Sequence, residues 1–317
     1  MGTALNGITK NQDKVALRIR VGVLWVCMIV AVMMGYEPVH ALFADVPSDY
    51  YSHILLIPFI STYFMFEKRN EIVKRADYGP VGGAIVGGLG LIVYCSAFWF
   101  EALLGSNDFA SVTVLGCVLF WWGAFLFTFG REAFVASRFG LFFMCLTIPI
   151  PKALLDRLIY VLQVGSTEIT QWFFELTGTN YIRDGFVYQL TGINIEVAKE
   201  CSSIRSSLAL IITGVVAGHL FLKSGWRKVL LLIVLIPINI IKNGIRITTL
   251  SLLAIYVDHK FITDSFLHHS GGFLFYLPAL GMMGAMIMWL RKGDAKRESV
   301  NTGDGKQGQS LPQIGAD

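Results

Sequence analysis

Charge is what this chain has least of. Only 15% of its 317 residues are Asp, Glu, Lys or Arg, while 54% are hydrophobic. A soluble domain carries about 25% charged residues, so a soluble globular enzyme is excluded first. The net charge of +4 is no sign of nucleic-acid binding, because the basic residues form short clusters between apolar runs and report membrane topology instead. A cleavable signal peptide is also missing. The first apolar run, Val21 to Tyr36, follows a polar N-terminus and lacks a small-x-small cleavage site. Cysteine outside the apolar runs is reduced to one residue. Cys27, Cys95, Cys117 and Cys145 lie inside runs and read as small buried hydrophobes. Cys201 alone lies outside, so it has no disulfide partner. No internal repeat is visible. Carboxylates are too scattered around the histidines to complete a metal site, and nothing calls for a cofactor.

What is present is a series of apolar stretches of roughly 15 to 25 residues, the length that spans a bilayer as a helix. The pattern predicts an all-α membrane protein with about eight transmembrane helices. These cover about Val21 to Tyr36, Tyr50 to Phe66, Gly79 to Phe100, Phe109 to Phe129, Phe139 to Ile150, Ser203 to Leu222, Val229 to Val257 with an interruption, and Gly272 to Leu290. Residues 1–20 form an N-terminal tail, 21–291 the polytopic domain, and 292–317 a Gly-, Gln- and Ser-rich tail expected to be disordered. The loops test this count. Lys10, Lys14, Arg18 and Arg20, then Lys68, Arg69, Lys74 and Arg75, then Arg131 and Arg138, then Lys223, Arg227 and Lys228, and finally Arg291, Lys292, Lys296 and Arg297 alternate with loops carrying Glu37, Asp45 and Asp49, Glu101 and Asp108, and Asp258 and Asp264. The positive-inside rule puts the basic set and both termini in the cytoplasm, which requires an even number of spans.

The outer segment 151–202 is long. Leu154 to Leu176 places apolar residues at helical spacing (Leu155, Leu158, Ile159, Leu162, Ile169, Trp172, Phe173), which predicts an amphipathic helix on the outer surface. Tyr181 to Val197 alternates like strands, with Thr191-Gly192 between Leu190 and Ile193, which predicts a small hairpin. It delivers the chain to Cys201 at the mouth of span six.

Three groups there could carry chemistry. Cys201 precedes a membrane helix whose N-terminal dipole end favours a thiolate, and Arg205 shares its face at i+4; the alternative is a structural cysteine at a helix cap. Inside span seven, Asn239, Asn243 and Arg246 follow i, i+4, i+7 spacing. Ionisable groups at a bilayer centre cost about 2.5–3.5 kcal/mol on insertion scales and rarely occur without a partner. Arg246 is seventeen residues from Val229, or roughly 26 Å, against a core of about 30 Å, so it approaches the depth of Cys201; the alternative is snorkelling to the headgroups. At the mouth of span eight stand His268 and His269, of which one at most faces a shared site as a general base. His53 is an interfacial candidate without a clear partner, and His40, His219 and His259 read as incidental. A cysteine, an arginine and a histidine are the parts of a nucleophilic acyl-transfer site.

These residues resemble a known family. Glu200-Cys201-Ser202-Ser203-Ile204-Arg205-Ser206-Ser207 resembles the Cys-Ser-Gly-x-Arg signature of exosortases and archaeosortases, with Ser203 where glycine is frequent. Asn243-Gly244-Ile245-Arg246 resembles their Asn-x-x-Arg element, and His268-His269-Ser270-Gly271-Gly272 their histidine motif before the last helix. Ser52-His53-Ile54 to Pro58, then Phe66-Glu67-Lys68-Arg69, resembles their N-terminal region. The resemblance implies a bacterial inner-membrane cysteine transpeptidase with its active site on the extracytoplasmic face. Its partners would be membrane lipids and exported proteins bearing a C-terminal sorting signal: a short motif of the PEP-CTERM kind, a transmembrane helix and a basic cluster. It implies Cys201, Arg246 and His268 as the catalytic set, with Arg205, Asn243 and His269 in support. The glycine-rich third span is a candidate face for the substrate's helix. Other classes stay open: a transporter or lipid flippase with an anion site at a broken seventh helix with Lys242 and Arg246, a glycosyltransferase using Asp45 or Asp49, a cysteine endoprotease that transfers to water, and a scaffold for polysaccharide export. The sorting motif, the acceptor and the oligomeric state are not readable.

Overall fold

The computed structural model describes residues 2–45, 51–197, 204–257 and 274–293. The chain divides into two compact units, Met1–Leu155 and Asp156–Asp317. Among the described residues, five helices are long and apolar enough to cross a membrane, and a sixth span results if a pair bent by 86° counts as one. The protein is therefore a multi-pass helical membrane protein.

The first unit is built on three long helices. Helix α1 runs from Gly2 to Asp45, so the polar N-terminus continues into the first span without a break. Helix α4 covers Pro80–Trp99 and α5 Ser106–Ala136. Between them come α2 (Ile57–Glu67) and α3 (Arg69–Lys74); the second expected span is thus a short apolar helix.

Glycine sets the α4–α5 spacing. A Cβ on Gly90 would lie 2.4 Å from the Phe120 backbone nitrogen, one on Gly83 2.4 Å from that of Phe127, and one on Gly123 2.2 Å from that of Gly87. Two membrane helices approach backbone to backbone only where side chains are missing. The glycines expected to receive a substrate helix are thus partly consumed within the chain: Gly83, Gly87 and Gly90 are buried against α5, while Gly82 and Gly88 face open space. Gly130 breaks α5 with φ 75°, a left-handed conformation that favours glycine. It ends the apolar part of α5 at Phe129, where the sequence places the end of span four.

The fifth expected span is also short. Helix α6 (Arg138–Phe143) passes into a 3-10 turn at Met144–Thr147. The chain then bends into α7 (Lys152–Leu176). Asp108 accepts the Lys152 backbone N–H at 2.6 Å, and Asn107 donates to the Ile150 carbonyl at 2.8 Å.

The second unit contains most of α7, a small sheet, α8 (Ile204–Phe221), α9 (Gly225–Tyr256) and α10 (Leu274–Gly293). The sheet has three antiparallel strands, β1 (Tyr181–Asp184), β2 (Val187–Leu190) and β3 (Ile193–Glu196). The expected turn at Thr191-Gly192 joins β2 to β3, with Gly192 at φ 84°. A further strand pairs Tyr181 with Leu190.

Helices α8, α9 and α10 share one apolar core of Leu210, Ala217, Leu231, Leu235, Ala279, Met283 and Ile287. Arg227 caps α10, donating to the Leu290 carbonyl at 3.0 Å, where a cation complements the negative helix end.

Helix α9 corrects one expectation. It is continuous through Pro237 and Gly244, so there is no broken seventh helix. Pro237 is exposed on that helix. Gly244 serves packing: a Cβ there would lie 2.4 Å from Ile169 Cγ2 of α7.

Candidate functional site

Asn239, Lys242 and Asn243 are at most 2% exposed, and Arg246 is half-buried one turn after Lys242. The polar face expected of span seven is therefore packed inside protein, which an arginine merely snorkelling to headgroups would not need.

Helix α8 answers that face with its first turn. Lys242 Nζ donates to Ser206 Oγ at 2.6 Å, to Asn239 Oδ1 at 3.2 Å and to Ser207 Oγ at 3.4 Å. Lower down, Gly214 faces Leu235 and Gly218 faces Leu231. The three pairings run in opposite directions along the two helices, so α8 and α9 are antiparallel, and the Arg246 end of α9 lies toward the start of α8.

A second set of contacts fixes the chain on the other side of Cys201. Gln163 of α7 donates to the Val197 carbonyl at 2.6 Å, and the Val197 N–H donates to the Phe186 carbonyl at 2.9 Å. Val197 is fully buried in a cluster with Phe174, Tyr188, Ile247 and Ala254. This cluster joins the sheet to α7 and to α9 just past Arg246. Tyr188 reinforces the joint by donating to the Thr167 carbonyl at 2.7 Å; burial pushes its phenol up to about 12. Outside the cluster, Arg183 holds Glu168 at 2.7 Å and keeps that carboxyl below its ordinary range.

The buried stripe of α7 explains how the helix is used. Gln163, Ser166, Thr167 and Thr170 are buried, while Leu154, Leu158, Val161 and Trp172 are exposed. The buried side also carries Ile159 and Phe174, so it mixes small hydroxyls with apolar side chains. Among the described residues, Ser166 Oγ and Thr248 Oγ1 are buried with no hydrogen-bond partner, so the α7–α9 contact is incompletely satisfied.

The expected site residues divide accordingly. Asn243 and Arg246 share a face of α9, and Arg205 is exposed in the first turn of α8. Cys201, His268 and His269 lie outside the described residues, as does Asp49. His53 belongs to a 3-10 turn, its ring tilted against Tyr51 with centroids 6.4 Å apart. Cys27, Cys95, Cys117 and Cys145 are free thiols inside helical segments. Among the described residues no three His, Cys, Asp or Glu side chains gather to hold a metal.

Two residues escaped the sequence reading of the site. Lys242 was visible as a cation in an apolar run, but its serine partners come from another helix. Gln163 had a fainter signal: it stands in an uncharged polar stripe, which suits a packed face better than a solvated one.

A family model described as "Transmembrane exosortase (Exosortase_EpsH)" matches residues 44–285. No curated protein and no solved structure matches the chain.

Proposed function

Because the chain belongs to the transmembrane exosortase family, we propose that it is a membrane-embedded cysteine transpeptidase that uses Cys201 to process exported proteins carrying a C-terminal sorting signal. One observation supports this reading most. The segment carrying Cys201 is bounded by two anchors in the same unit, Val197 on Gln163 and Ser206 on Lys242, and Arg246 lies one turn beyond the second anchor.

His268 takes the Cys201 proton, and the thiolate attacks the carbonyl carbon of the scissile peptide bond. Arg246 stabilises the resulting oxyanion. Collapse breaks the C–N bond, and His268 returns its proton to the leaving amine, which departs with the substrate's transmembrane helix. An amine of a lipid or envelope component then attacks the thioester carbonyl and loses a proton to His268; collapse breaks the C–S bond, and His268 returns that proton to the Cys201 thiolate. Arg205 and Asn243 orient substrate and Arg246, and His269 flanks the base. Water in place of the amine would make the enzyme an endoprotease.

Eight spans with both termini cytoplasmic fit this reading, with the short helices His53–Glu67, Arg138–Thr147 and Arg205–Phe221 as the three shortest crossings. The site would then face outward from the inner membrane, at the depth where a helix-anchored substrate presents its motif. The test is processing of a tagged substrate, followed on a gel beside Cys201→Ala, Cys201→Ser, Arg246→Ala and His268→Ala. Wild type cleaves, and the cysteine variants leave the precursor intact. Normal processing by Cys201→Ala removes the proposal.

A further inference from the structure

Lys242 is 2% exposed, in the middle of an apolar helix. Its Nζ reaches three acceptors, Ser206 Oγ, Asn239 Oδ1 and Ser207 Oγ. All three acceptors are neutral, and none of the described residues supplies a carboxylate to it. An amine buried without an anion is costly to keep in an apolar helix. If holding helices together were its only task, a neutral side chain of similar length would serve without that cost.

The location gives this amine a use. Ser206 and Ser207 are in the first turn of α8, whose N–H groups form the positive end of that helix. Arg246 follows Lys242 by one turn, about 6 Å along the axis. Positive potential therefore builds toward the end of α8 that Cys201 precedes by three residues. Resting on the reading of Cys201 as the nucleophile, we propose that Lys242 is a positioning residue for it: through Ser206 it fixes the first turn of α8, whose positive end, with Arg246, favours the thiolate and the oxyanion that follows. The hydroxyl is the link, so both the lysine and Ser206 are needed. Ser207, at the longer 3.4 Å, contributes less.

The test uses the full-length protein in detergent with a purified, tagged substrate carrying the C-terminal signal. Two rates are measured per folded molecule: substrate processing, and alkylation of Cys201 by iodoacetamide, read by mass spectrometry on the Cys201 peptide. In Lys242→Met, kcat is expected to fall about tenfold or more, with KM within about threefold of wild type, because the loss is in the transition state. Alkylation of Cys201 slows in parallel, about tenfold. Ser206→Ala moves both rates in the same direction, and Ser206→Thr, which keeps the hydroxyl, restores them to within about threefold. A folded Lys242→Met that processes and alkylates at wild-type rates while Cys201→Ala is inactive overturns the proposal. So does a loss of melting temperature with kcat unchanged. If Lys242→Met does not fold, the serine pair decides, and wild-type rates in Ser206→Ala overturn it. Processing by Cys201→Ala would remove the reading beneath it, an outcome distinct from the others.

Discussion

Gln163 and Tyr188 tie the sheet to α7 through single buried hydrogen bonds, and each bond carries a consequence. Gln163→Leu would leave the Val197 carbonyl buried without its partner, which costs about 1–3 kcal/mol. Thermal unfolding in detergent should show this loss, together with slower processing, because Val197 is the upstream anchor of the Cys201 segment. Tyr188 predicts a pH effect. Its phenol ionises near 10 when unfolded and is pushed up to about 12 by burial. A raised acid favours its neutral form in the fold, so its contribution is fully present below pH 10 and is lost as pH rises through about 12. Melting temperatures measured from pH 8 to 11.5 should fall more steeply in wild type than in Tyr188→Phe. An equal slope would mean that Tyr188 does not titrate late. Residue-level chemistry was only partly legible in the sequence. Cys201 and Arg246 stand out because polar groups beside or within apolar runs are conspicuous. Lys242 is equally conspicuous, but its task depends on serines thirty-five and thirty-six residues away, and no local pattern reveals that pairing.

Among the elements, α4 and α5 make the sharpest prediction. Gly88 and Gly90 are two residues apart on α4, yet only Gly90 faces the α5 backbone. Gly90→Ala should destabilise by about 1–3 kcal/mol through overpacking. Gly88→Ala should be neutral, or stabilising by up to about 1 kcal/mol through helix propensity. Paired melts of the two variants check this, and equal melts would contradict the packing. The sequence showed that the third span was rich in glycine but not which helix used it, because glycine spacing marks a close approach without naming the partner. Helix α7 forms over the expected residues, and its faces are mixed. Its buried side carries Gln163, Ser166, Thr167 and Thr170 between Ile159 and Phe174, while Leu154, Leu158 and Trp172 are exposed. In a membrane protein the apolar face can look outward, so amphipathicity gives a direction only once the solvent on each side is known. Span seven misled through Pro237 and Gly244. Both are helix breakers in water, yet one faces outward here and the other admits Ile169.

For the whole molecule, apolar length and loop charge gave the class directly: a multi-pass membrane protein. The number of crossings is where length is a weak guide. His53–Glu67 and Arg205–Phe221 are shorter than a usual span, and Arg138–Thr147 is shorter still. The proposed eight-span topology makes a prediction that does not depend on the chemistry. A reporter active only outside the cytoplasm should work when fused after Gly105 and fail after Arg75, Ser137 or Lys223. Activity after Lys223 would reverse the proposed face of α8 and separate Cys201 from an exported substrate.

The central claim is a covalent bond between Cys201 and the substrate. The most direct measurement incubates purified wild-type protein with a tagged substrate, quenches at acid pH to preserve thioesters, and identifies the Cys201 peptide by mass spectrometry. The account predicts a Cys201 peptide carrying the substrate's new C-terminal residue as a thioester, cleavable by hydroxylamine and absent in Cys201→Ala. Substrate turnover with an unmodified Cys201 peptide, and undiminished turnover in Cys201→Ala, would contradict it.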